Sequence, residues 1–342
     1  MRNRRYLLPR LVAWLLAFSA ALPAGSAAQV PRTHVVLVVG IGGTAEFRER
    51  FHDAASQIYT ALTTQLGIPA EDVVYLGEDP SVAPDMIADR ATRANVLKVL
   101  GEIAQRAGPS DRVLVVLIGH GADSGQEPQF NVSGPDLVPS DFAPALLAFP
   151  TQQLALVHTG SASGGWVAPL AGPNRVVITA TRSGREQNAT EFARFFAEAI
   201  AGRGADMDHD NRVSLLEAFR YAQAEVARHY EEQNTLQSEH AVLDDNGDGE
   251  ASLDPSREGP DGIFAAQFTL GALGGAPAPS AADDPVLAQL YAERDEIQSR
   301  IDGLRLVRST LSEDEYLSRM EPLLVELALK NREIREREGG GN

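Results

Sequence analysis

Five short apolar runs, separated by helical patterns, limit what this chain can become. They are HVVLVVGIGG (34–43), DVVYLGE (72–78), DRVLVVLIGHG (111–121), QLALVHTG (153–160) and NRVVITATRSG (174–184). A brief β-branched and aliphatic run without polar alternation is a strand covered on both faces. Between these runs the spacing turns helical. Phe51, Ala55, Ile58, Leu62 and Leu66 share a face in 47–66, and Val96, Leu100, Ile103 and Ala107 share one in 91–108. Residues 189–202 and 214–233 read as two further helices. Strands alternating with helices predict an α/β fold of three layers around a mainly parallel sheet of five or more strands. Residues 79–90 and 122–144 read as loops, the second with a small hairpin at QFNVSG. His52 and Asp53 read as exposed on the first helix, and Trp166 as a packing residue.

The main domain is expected over 33–270, followed by a Gly/Ala/Pro linker at 271–285 and a helical hairpin at 286–338. Leu287, Leu290, Ile297, Ile301, Leu304 and Leu311 form the stripe of its first helix. Tyr316, Met320, Leu323, Leu324, Leu327 and Ile334 form that of its second, which opens on a Ser312–Glu315 capping box and carries Pro322 as a kink. The simpler use of these stripes is packing of one helix on the other; self-association as a coiled coil is the alternative.

Residues 1–28 read as an export leader. Arg2, Arg4 and Arg5 precede an apolar run to Leu22 and a Ser-Ala-Ala stretch, with cleavage after Ala28. An uncleaved anchor and twin-arginine export are the variants of this reading. The destination is periplasmic or extracellular, and the Arg-rich, Lys-poor usage fits a bacterial source. No later segment is long and apolar enough to span a membrane. There is no cysteine, which excludes thiol chemistry and thiolate metal ligands. The net charge is −17, and loss of the leader's four arginines takes it to −21. Such a balance argues against nucleic acid and anionic lipid as partners and suits cation binding.

In an open parallel sheet, ligands bind beyond the carboxyl ends of the strands. There the chain places His120 in Gly119-His120-Gly121, Ser161 in a small-residue turn, and Thr181, Arg182 and Ser183 after the fifth strand. With "ATRANVLKVLGEIA" before "DRVLVVLIGHG", the "SASGG" turn, and "VVITATRSGREQNATEF", these features resemble the caspase-like clan of cysteine peptidases, nearest its legumain-like branch, over roughly 33–232. The resemblance implies that His120 matches the catalytic base and Ser161 the position of the nucleophile cysteine. It also implies an oxyanion hole from the backbone N–H groups of Gly121 and Ser161. Thr181, Arg182 and Ser183 fall where a substrate group would be read, although Arg182 has Glu186 and Glu191 nearby as alternative partners.

The departure at Ser161 changes the chemistry. A thiolate forms readily beside a histidine, whereas a serine needs a base that removes its proton during attack, usually one oriented by a carboxylate. Asp123 is the nearest such acid in sequence, and His158 is a second candidate base. Two readings follow: a retained shell without peptidase activity that acts by binding a peptide or protein, and a serine hydrolase built on Ser161 and His120.

A second signal points to calcium. DMDHDNRVSLLE matches the EF-hand loop over 206–217. Asp206, Asp208 and Asp210 take positions 1, 3 and 5, the Arg212 carbonyl position 7, Ser214 position 9 and Glu217 position 12, with Asn211 where glycine is usual. Glycines at 202 and 204 break the helix before it, so the unit is a loop with one helix. A weaker loop spans 244–255, with Asp244, Asn246, Asp248 and Glu250 as ligands and Ser252 at position 9. Position 12 there is Pro255, so Asp254 or Asp245 would have to complete it; the alternative is a solvated acidic turn.

Overall fold

The computed structural model describes residues 31–208, 212–270 and 285–339. The leader read at 1–28, Asp210, Asn211 and nearly all of the linker read at 271–285 lie outside the described residues.

In chain order the elements are β1 (Thr33–Val39), α1 (Ala45–Thr60), β2 (Val73–Gly77), β3 (Ile87–Arg90), α2 (Arg93–Arg106), β4 (Arg112–Ile118), β5 (Gly121–Ala122), β6 (Gln129–Phe130), α3 (Pro139–Leu146) and β7 (Gln153–His158). There follow α4 (Val167–Leu170), β8 (Arg175–Thr179), α5 (Phe192–Ala201), β9 (Val213–Ser214), α6 (Leu215–Glu232), β10 (Val242–Asp244), α7 (Ile263–Gln267), β11 (Thr269–Leu270), α8 (Pro285–Leu306) and α9 (Glu313–Gly339). Seven strands form the main sheet in the order β10-β8-β7-β4-β1-β2-β3, and only β10 runs antiparallel to its neighbour.

The two faces of the sheet explain the unbroken apolar runs. Val35, Leu37 and Val39 of β1 and Leu114, Val116 and Ile118 of β4 point into one core, shared with Phe51 and Ile58 of α1, Phe196 of α5 and Phe219 of α6. Val36, Val38, Val113, Val115 and Leu117 point into the other, shared with Val96 and Leu100 of α2, Phe142 of α3 and Trp166. Residues 33–39 of β1 and 113–118 of β4 are thus buried whichever way they point, and polar alternation would leave an unpaired group inside. The fold is the expected α/β arrangement of three layers, with a mainly parallel sheet and a helical hairpin after it.

Several local readings are corrected. Part of the stretch taken as a loop at 79–90 is β3, an edge strand in which only Ile87 is buried. Within 122–144, α3 forms behind Pro139, with the Val138 N–H donating to Asp141 Oδ2 at 3.0 Å. β10, α7 and β11, at three, five and two residues, are too short to show a period in advance. His52 is half-buried, its Nδ1 2.9 Å from the Tyr75 hydroxyl.

The C-terminal helices pack on each other through Ile297, Ile301 and Leu304 against Tyr316, Met320 and Leu323, and through Leu287 and Tyr291 against Ile334. Asp302 of α8 is buried and accepts from Arg257 Nη1 at 2.7 Å, which ties the hairpin to the preceding domain. Among the described residues no helix is long and apolar enough to cross a membrane.

Trp166 sits directly after the "SASGG" turn, fully buried, its ring edge-on to His158 at 4.9 Å and to Phe142 at 5.6 Å. Trp166→Ala is expected to cost about 3–5 kcal/mol by the cavity it leaves, read as a lower midpoint in urea unfolding. A midpoint within error of wild type would show that the turn packs without it.

Candidate functional site

The register of the central strands brings three loops to one edge. Leu117 pairs with His158 across β4 and β7, and His158 pairs with Thr179 across β7 and β8. The chain therefore leaves all three strands at the same level, and His120, Ser161 and Thr181 follow within three residues.

Ser161 is buried, at 3 % exposure. Gly121 meets it backbone to backbone, since a Cβ added there would lie 2.4 Å from the Ser161 carbonyl oxygen. The structure thus brings Gly121 and Ser161 together. After Ser161 the chain takes a left-handed turn at Ala162 (φ 56°), whose N–H donates to the Glu186 carbonyl at 2.8 Å. A non-glycine residue held in that region is strained, and the surrounding bonds keep it there.

Thr181 and Ser163 lock this turn from below. The two hydroxyls lie 3.1 Å apart, the Thr181 N–H donates to Ser163 Oγ at 3.1 Å, and the Gly164 N–H donates to Thr181 Oγ1 at 2.9 Å. Thr181 is fully buried, so its hydroxyl braces the turn and has no free face for a ligand. Gly164 is a close approach: an added Cβ would be 2.2 Å from the Ser183 nitrogen. Arg182 is exposed, with Nε 3.0 Å from Glu186 Oε1. The same Glu186 accepts from the Arg182 N–H at 3.0 Å and the His240 N–H at 3.1 Å, and lies 2.7 Å from His240 Nδ1.

His120 stands apart from this network. Its ring lies edge-on between Phe47 at 4.5 Å and Phe51 at 4.9 Å. No hydrogen bond joins it to Ser161, and among the described residues no carboxylate bonds to it. Burial lowers its pKa; the Gly42 carbonyl opposes this and the charge of Arg50 adds to it. Asp123, the acid nearest in sequence, is engaged elsewhere. Its Oδ1 accepts from the Gly125 N–H at 2.8 Å, and its Oδ2 lies against Gly184, 1.9 Å from where a Cβ would sit. Pro128 packs on Gly165 in the same way, so residues 122–128 fold over the turn.

His158, the alternative base, is fully buried between Phe130 and Trp166. Its Nδ1 accepts from the Gly160 N–H at 3.1 Å, which puts the proton on Nε2, an atom without a partner. Burial pushes its pKa down to about 3. It is a neutral packing group that holds the strand end.

The first acidic loop gathers as its spacing suggests. Carboxylate oxygens of Asp206, Asp208 and Glu217 all lie within 4.8 Å of one another, the one such group found among the described residues. Oxygen donors of this kind suit a hard divalent cation. Glu217 also forms the capping box of α6: its Oε2 accepts from the Ser214 N–H at 2.9 Å and the Ser214 hydroxyl at 2.8 Å, and its Oε1 from the Met207 N–H at 3.0 Å. β9, which carries Ser214, pairs with β11 and so fastens the loop to the residues before the linker.

The second loop folds as a chain of side-chain-to-backbone turns. Asp244 accepts from the N–H groups of Gly247 at 3.2 Å and Gly249 at 2.7 Å, Asn246 from Asp248 at 2.8 Å, and Asp248 from Glu250 at 2.7 Å. Gly249 takes the left-handed backbone (φ 79°) that this tight winding needs. The two acids expected to complete a coordination sphere are placed elsewhere, which corrects that expectation. Asp245 accepts from the Gly262 and Ala265 N–H groups at the start of α7, at 2.8 and 2.7 Å. Asp254 is exposed, its Oδ1 3.5 Å from Arg220 Nη2. Asp261, missed by sequence reasoning, lies buried beneath the loop and accepts from the Asp245 and Asn246 N–H groups at 3.1 and 3.4 Å. Burial, with help from neighbouring acids, pushes its carboxyl up to about 6.

No family model and no curated protein matches this chain. A solved structure titled pro-sf-caspase-1 is similar to it at 10 % sequence identity and a TM-score of 0.35, covering 59 % of this chain and 83 % of that one.

Two measurements check this description. Because the native His158 pKa lies far below the ordinary imidazole value of about 6.5, the unfolded chain binds more protons between pH 6.5 and 3, and stability falls as pH drops through that window. His158→Gln, which keeps an acceptor for Gly160, should reduce proton uptake on acid unfolding by about one; unchanged uptake would place the imidazole in water. Gly164→Ala should cost about 1–3 kcal/mol by overpacking. Gly101→Ala, with open space at its Cβ in α2, should stabilise by about 0.5–1 kcal/mol in the same urea titration. Equal effects would contradict the close approach.

Proposed function

We propose that this chain is an exported, calcium-binding protein of the caspase-like clan that has kept the peptidase framework without the activity and works by binding a peptide or protein. The observation that carries this is the state of the would-be dyad. His120 is held between two phenylalanines with no bond to Ser161 and, among the described residues, no carboxylate bonded to it, while Ser161 is buried at 3 % exposure. A serine nucleophile depends on an oriented base far more than a cysteine does, so the arrangement favours a shell. The clan assignment rests on the order of the motifs along the chain and on the parallel sheet that carries them. The leader pattern at 1–28 supports export, and the acidic composition supports a cation partner.

Calcium is assigned first to Asp206, Asp208 and Glu217, with the Arg212 carbonyl and Ser214 completing the pattern; Asp210 belongs to it by spacing. Bound there, the ion would neutralise three gathered carboxylates and clamp the start of α6, which packs against α5 across the sheet face. The second loop, through Asp244, Asn246, Asp248 and Glu250, is a weaker site for the same ion. The alternative function, a calcium-stabilised serine hydrolase using Ser161 and His120, is favoured by the common level at which β4 and β7 end, which brings the His120 and Ser161 loops to one edge of the sheet.

A fluorophosphonate probe separates the two. The mature protein, with and without calcium, is expected to remain unlabelled. Labelling that Ser161→Ala and His120→Ala both abolish would establish the hydrolase. For the metal, saturating calcium is expected to raise the melting temperature by an amount equivalent to about 2.7 kcal/mol at a hundred times Kd. Glu217→Gln, which preserves the capping box, should remove that rise. A calcium response that survives the substitution would assign the ion elsewhere.

A further inference from the structure

At the opposite edge of the sheet, β4 begins beside a cavity of about 310 Å³ that also touches α8 and α9. Its lining is unlike the rest of this acidic chain. Among the described residues, Arg112, Arg212, Arg257 and Arg294 face it, with two carboxylates, Asp208 and Asp302. Both carboxylates lie beside one arginine: Arg257 is 2.7 Å from Asp302 and 3.6 Å from Asp208.

Arg112 is left without a counter-charge. Its Nε donates to Gln153 Oε1 at 2.7 Å, Nη1 to the Thr269 hydroxyl and carbonyl at 3.1 and 3.3 Å, and Nη2 to the Gln267 carbonyl at 3.2 Å. Every one of these acceptors is neutral. Four bonds from β7 and the α7–β11 segment fix the guanidinium plane in place, so it is pre-organised rather than free to seek an acid. Burial, with the nearby charge of Arg212, pushes its pKa down to about 10, the mark of a cation held where no anion compensates it. Arg294, 9 % exposed and stacked over Tyr291 at 5.0 Å, brings a further buried guanidinium from α8.

We propose that this cavity binds a small dianion of the phosphate class, either inorganic phosphate or a phosphomonoester. The guanidinium groups come from four separate segments, and a tetrahedral anion has acceptor oxygens directed toward donors on several sides. The volume exceeds what a lone phosphate fills, and Gln298 and Ser299 on the lining supply neutral hydrogen-bonding groups for an ester's polar body.

The test is isothermal titration of the full chain at neutral pH with EDTA present, so that calcium phosphate does not contribute. The ligands are inorganic phosphate, glycerol phosphate and, as a dianion of different shape, succinate. One saturable site for a phosphate ligand is expected, lost in Arg112→Gln. Arg212→Gln, at an exposed side chain outside the strand network, should weaken binding by about tenfold in a sample that still melts cooperatively. Tighter binding of glycerol phosphate identifies an ester as the occupant, and equal binding identifies the free ion. Three results would overturn the proposal: no saturable binding of either phosphate up to about 10 mM in a cooperatively melting sample, equal affinity in Arg212→Gln, or succinate binding as tightly as phosphate.

Discussion

The pairing of β4 with β1 on one side and β7 on the other sets where every other group in this molecule sits. Seven register positions join β4 to β1 and six join it to β7, all parallel and, beyond the first residues of β4 and β7, between residues covered on both faces. A slip of one residue would exchange the two cores, driving Val36 and Val38 toward α1 and α5 and Leu37 toward α2. With the register fixed, the loops carrying His120, Ser161 and Thr181 must emerge together at one edge, and Arg112 must lie at the other. The two regions of chemical interest are the two ends of the same strand.

Those long strands could be read from the sequence because burial on both faces leaves a continuous apolar signature. The amphipathic helices α1, α2 and α6 could be read because one face alone is buried. β3, β10, α3 and α7 could not. They are too short to show a period, and they are set by distant partners, as β10 is by β8 and α7 is by Asp245. The same divide runs through the candidate site. Gly119-His120-Gly121 and Ser161-Ala162-Ser163-Gly164 stand out locally, but the clamp of Phe47 and Phe51 on His120 looks like ordinary helical core spacing. Glu186, which gathers Ala162, Arg182 and His240, has no local mark of its role. In the second acidic loop, spacing predicts the turns from Asp244 to Glu250, whereas the fate of Asp245 depends on α7, some twenty residues on.

The turn after β7 is held by groups other than the residue at its apex. Its geometry is held by Ser163, Thr181, Gly164 and the strained Ala162, none of which needs Ser161 to be reactive. Trp166 and the neutral His158 pack behind it, and the loss of either disturbs the strand end rather than a proton path. The stabilising contacts and the groups a hydrolase would use are therefore physically separate. The turn is therefore a rigid edge of the sheet whose shape does not depend on what Ser161 does.

Arg257 connects the acidic loop, the arginine-lined cavity and the hairpin through one side chain. It reaches Asp208 of the first loop and Asp302 of α8, and Asp302 is buried with Arg305 as its second cation at 3.2 Å. Without a metal, Asp208 shares its charge with this guanidinium. Asp302 is paired from both sides of the contact, by Arg257 from before the linker and by Arg305 from its own helix. A buried carboxylate is costly unless its charge is met, so losing either guanidinium would loosen the seat of the hairpin more than losing an exposed pair on its surface.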